Sequence, residues 1–85
     1  MPRYHLHIHC DGEVITDEEG GEFPDEDAAA KEAVRSIRSL VCGDVVGGAL
    51  DLDLSIEIRD DRDTRLQEVA FEDAITIRGG RPERD

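Results

Sequence analysis

Residues Arg3 to Cys10 alternate, with Tyr4, Leu6, Ile8 and Cys10 on one side of the chain and His5, His7 and His9 on the other. A period of two marks a strand with one buried face. The Asp11-Gly12 pair that follows suits a tight turn, and Glu13 to Thr16 has the β-branched character of a returning strand. The stretch DEEGGEFPDED then breaks the alternation with two glycines, a proline and many carboxylates, as a solvent-exposed loop does. Asp25 is placed to cap a helix, with Glu26 and Asp27 at the positive end of its dipole and Asp27 one turn from Lys31.

Ala30, Ala33, Val34, Ile37, Leu40, Val41 and Val45 recur at helical spacing, and Lys31, Glu32, Arg35, Arg38 and Ser39 cover the opposite face. Because Val45 and Val46 carry the apolar stripe past Gly43, the predicted stop is Gly47-Gly48. Leu54, Ile56 and Ile58, alternating with Ser55, Glu57 and Arg59, predict a third strand. DDRD turns into a fourth, Thr64 to Phe71, where Val69-Ala70-Phe71 signals a bulge or a strand end. Glu72 to Ile77 fits a helical turn or a short strand, and residues 79–85, without an apolar anchor, are expected to form a disordered tail.

Hairpin, helix, hairpin in one unit over residues 1–78 predicts an α+β fold. It is a small antiparallel sheet of about four strands, order β-β-α-β-β, with one amphipathic helix on one face. The face carrying His5, His7, His9, Glu57 and Arg59 then has no second layer and is expected to meet water or a partner.

Composition narrows the function. With 85 residues, 38% hydrophobic and 38% charged, no Trp, one Tyr and two Phe, the core must be economical and mainly aliphatic. A formal charge of -12 repels phosphate backbones and anionic lipid, so no nucleic-acid or membrane partner is expected. Neither a spanning apolar run nor a signal-peptide core is evident, and a cytoplasmic location is expected. Cys10 and Cys42 are too few for a disulfide framework and are expected to be reduced.

MPRYHLHIHCDG, TDEEGGEFPDEDAAAKEA and LDLDLSIEIRDD together resemble the small bacterial proteins grouped as domain of unknown function 6894, over nearly the whole chain. His7, Asp11, Gly12, Asp17, Glu18, Glu19, Gly20, Glu22, Pro24 and Asp25 are the matching positions, while His5 and Leu6 stand where aromatics are usual. The resemblance supports the fold and implies no activity.

The sharpest chemical pattern is HLHIH, because residues two apart on a strand point the same way, about 7 Å apart, and two such imidazoles can share a metal. His5, His7 and His9, with Glu57 completing the shell, make a zinc-binding protein the alternative reading. The plainer one has the imidazoles lining a solvated or interface face, with His7 hydrogen-bonded to an acid such as Glu57 and association sensitive to pH. Asp17 to Glu22 lacks the spacing of an EF-hand loop but could recognise a basic partner. No nucleophile elbow, P-loop, dinucleotide fingerprint or CxxC is present, and Ser36, Ser39, Ser55 and Cys42 have no paired base in the sequence pattern. The expectation is a non-enzymatic interaction or self-association module without cofactor, its partner another protein or a second copy in a homodimer, its surface drawn from His7, Asp17, Glu18, Glu19, Glu22, Glu57 and Arg59.

Overall fold

In the computed structural model, which describes residues 1–79, the first hairpin is β1 (Arg3–Cys10) and β2 (Glu13–Ile15). Asp11 and Gly12 join them with φ of 51° and 76°, the two positive values that a tight hairpin turn matched to strand twist requires. The carboxylate-rich loop is less irregular than its composition suggests, for Gly21–Glu22 forms a two-residue strand, β3, paired with Arg3 and Tyr4 of β1. The sheet thus has five strands, ordered β2-β1-β4-β5 with β3 sharing the β2 side of β1.

The helix α1 (Glu26–Val46) starts where expected, Asp25 accepting a hydrogen bond from the Ala28 N–H at 2.9 Å, and ends at Gly47. Its core-facing line is Ala29, Ala33, Ile37 and Val41, packed on Leu54, Ile56, Ile58, Val69, Phe71 and Ala74. Two alanines with no exposed surface let the helix close on the sheet.

Two positions of the predicted stripe are corrected. Leu40 is 38% and Val45 58% exposed, whereas Ala29, outside that stripe, is fully buried. Length explains the outer part: a helix of 21 residues runs about 31 Å, but a strand of six covers only about 20 Å. The last turn overhangs the sheet.

The strand β4 (Ser55–Asp60) pairs with β1 from Tyr4↔Asp60 to His9↔Ser55, and β5 (Arg65–Ala70) pairs with β4. The irregularity lies at Leu66, the extra residue between Ile58↔Gln67 and Arg59↔Arg65, so Val69-Ala70-Phe71 marks the strand end. The chain then enters α2 (Phe71–Ala74), a helical turn rather than a strand, whose Ala74 carbonyl accepts from Arg38 Nε of α1 at 2.8 Å. The predicted tail falls, from residue 80, outside the described residues.

Candidate functional site: a clasped loop and an apolar groove

Alternation does put His5, His7 and His9 on the face away from α1, opposite Arg59, Glu57 and Ser55 of β4. The three rings nevertheless have separate commitments. The expected bond from His7 to Glu57 is replaced by one from His9, whose Nε2 lies 3.2 Å from Glu57 Oε1. His7 is engaged elsewhere: its Nδ1 accepts the Asp17 N–H at 3.0 Å.

Glu57 is the hub of the outer face. Its Oε2 meets Arg59 at 2.8 Å and Arg65 at 3.2 Å, and Arg65 continues to Glu68, which accepts from the Ser55 hydroxyl at 2.6 Å. Burial pushes the Glu57 carboxyl up, but the hydrogen bonds from His9 and Arg59 outweigh it and hold the group below its ordinary value. This face is polar and internally paired.

The other half of that face grips a loop. Arg3, His5 and His7 project together, and Arg3 donates to the Glu19 carbonyl at 2.8 Å and meets the Glu22 carboxylate at 3.3 Å. His5 Nδ1 lies 2.8 Å from the Asp17 carbonyl and its Nε2 3.2 Å from the Asp61 carboxylate. Both neighbours are acceptors, so only the imidazolium donates to both, and the contacts with Asp17 and then Asp61 raise the His5 pKa above the ordinary histidine value.

Asp17 answers with its own carboxylate, which accepts the N–H groups of Leu6 and Gly20, each at 3.1 Å. Leu6 sits between the residues of β1 paired to β2 and those paired to β3, so the side chain stands in for a missing strand partner. Gly20 closes against this: φ is +71°, and a Cβ there would lie 2.8 Å from the Tyr4 carbonyl oxygen.

On the α1 side the same loop forms a wall. Thr16, Asp17, Gly20 and Gly21, with Leu6, Ile8, Ile15, Phe23 and Ile56, bound a groove of about 410 Å³ whose far side carries Glu32 and Ser36 of α1. It exists because the helix is centred on β4, flanked by β1 and β5, and does not reach over β2 and β3, leaving Leu6, Ile8 and Phe23 only partly buried.

Burial, followed by the neighbouring carboxylates of Asp11 and Asp51, pushes the Cys10 thiol up, away from the reactive thiolate. No group of three or more His, Cys, Asp or Glu among the described residues is arranged to hold a metal ion. Glu18 lines a shallow acidic hollow beside His5 and His7, together with Asp60, Asp61 and Asp63. No described helix is long and apolar enough to cross a membrane.

Sequence reasoning gave no role to Arg3, Asp61 or the groove residues other than Asp17, and it took Gly20 only as a turn position matching the family pattern. Arg3 was visible in principle, since it shares the alternation of His5 and His7.

The fold and site define a small α+β protein with one long helix over an antiparallel sheet, a loop clasped to its first strand and an apolar groove beside that loop. The family described as Domain of unknown function (DUF6894) matches residues 3–72, well over half of the chain, and the protein belongs to it. No curated protein and no solved structure matches.

Proposed function

We propose that the protein is a non-enzymatic interaction module whose partner is a basic protein segment that places an apolar side chain in the groove between α1 and β1–β3. The observation that carries this is the incomplete cover of the sheet: Leu6, Ile8, Ile15 and Phe23 remain accessible around a preformed concavity. Concave, mostly apolar sites with a few polar groups at the rim are what binding surfaces require. Asp17 and Glu32 border the groove and the chain carries -12 overall, so cationic flanks on the partner are favoured. The outer face competes poorly, because its charged groups already satisfy one another.

The test is an NMR titration with the amidated peptide Lys-Arg-Val-Ile-Val-Arg-Lys and its counterpart with Asp and Glu flanks. The basic peptide is expected to move resonances of Leu6, Ile15 and Phe23, and Ile15→Lys to abolish the effect. No movement at about 1 mM peptide, where even about −4 kcal/mol of binding registers, sinks the reading.

Self-association is the second reading, favoured by the overhang. Val45, Val46, Leu50 and Leu52, at the end of α1 and just beyond it, are 58%, 84%, 44% and 57% exposed. Native mass spectrometry of protein purified without chelator or added metal is then expected to give a dimer that Val46→Lys disperses. A monomer at every concentration rules this out, and retained zinc would revive the histidine strand as a metal site.

A further inference from the structure

The loop over residues 16–21 is held from one side of the sheet and used on the other. Arg3, His5 and His7 reach its backbone from the outer face, while Thr16, Asp17, Gly20 and Gly21 line the groove facing α1. We propose that Arg3, His5 and His7 form a proton-dependent clasp that keeps the groove in its binding shape while His5 is an imidazolium and slackens when that ring becomes neutral. This rests on the groove being the binding site.

The geometry forces the proton dependence. A neutral His5 has one N–H and two acceptors to serve, so either tautomer sets a nitrogen lone pair against the Asp17 carbonyl or the Asp61 carboxylate. The groups facing it are His7, whose ring centroid is 6.3 Å away, Asp17 and Glu18 from the loop, Asp60, Asp61 and Asp63 from the β4–β5 turn, its cross-strand neighbour Arg59, and Arg3, which projects beside it and is paired with Glu22. Arg59 is itself paired with Glu57 and Asp63, so the field around His5 is predominantly negative. A raised pKa means that the fold holds the charged ring, so the two bonds His5 gives the clasp are fully held below the ordinary histidine range and one of them is lost as pH climbs through the folded value of His5.

Two readouts test this. In the free protein, the amide resonances of Asp17 to Gly20 are expected to titrate with the His5 ring; Asp61→Asn should lower both midpoints together, and His5→Gln should flatten the loop response. In the same buffers, the basic peptide is expected to bind at least about fivefold more weakly above the midpoint than below it, the low end of ordinary coupling between sites. Simple electrostatics predicts the opposite sign, since losing a positive charge from an acidic surface should tighten a cationic peptide.

Loop amides that stay still while the His5 ring titrates overturn the clasp. A moving loop with unchanged or tighter peptide binding overturns its control of the groove. Binding at no pH, with the loop still titrating, fails the groove reading alone and leaves the clasp standing.

Discussion

At Gly20 the backbone has no room for a side chain and a conformation that L-residues avoid. Gly20→Ala is therefore expected to cost at least about 1–2 kcal/mol in denaturant unfolding, from strain in the left-handed region combined with the clash on Tyr4. Glu57→Gln should cost about 1–2 kcal/mol near neutral pH by weakening charge-assisted bonds to His9, Arg59 and Arg65. Its sign in pH is fixed: a carboxyl held below its ordinary value stabilises the fold above that value and ceases to as pH falls through the folded one. Acid titration should accordingly show Glu57→Gln losing stability less steeply than the parent. His7 and Glu57, expected to bond, do stand opposite each other on β1 and β4, yet the bond goes to His9. Alternation gives the face of a side chain but not which diagonal neighbour it reaches, and a backbone N–H from a distant loop had already taken the His7 nitrogen.

Among the elements, α1 was the most legible, because its cap, period and glycine stop are all local signals. Its contact with the sheet was not. A helical stripe can be read along its whole length, but which turns have a sheet beneath them depends on strands tens of residues away. The covered middle and the overhanging end should therefore respond differently to substitution. Ile37→Ala, at a fully buried site, is expected to lose about 2–5 kcal/mol by urea denaturation, whereas Val46→Lys should stay within about 0.5 kcal/mol of the parent. Likewise β3 could not be anticipated from a Gly-Glu pair inside an acidic loop; it forms because the clasp and the Asp17 carboxylate bring that segment alongside β1.

Over the whole molecule, a charge of -12 makes self-repulsion the dominant long-range term. Raising ionic strength from about 0.01 M to about 0.15 M shortens the screening length from about 30 Å to about 8 Å. The melting temperature is expected to rise, since the Glu57 network is short-ranged and partly buried and is screened less; a falling melting temperature would show the ion pairs to be worth more than the repulsion. The fold class was readable because hairpins and a helix announce themselves locally, while the groove was not, being a mismatch between the width of one helix and the breadth of a sheet. The strand order carries a last consequence, for the kinetics of folding. β1 makes its longest pairing with β4, which follows it only after the helix and both connecting loops. A nascent or refolding chain can form the first hairpin and α1 early, yet must hold an open edge on β1 until the distant partner arrives. Such non-local closure slows folding relative to an all-helical domain, into the range between helical bundles and all-β folds, and until it is complete the unpaired edge is the point at which aggregation would begin.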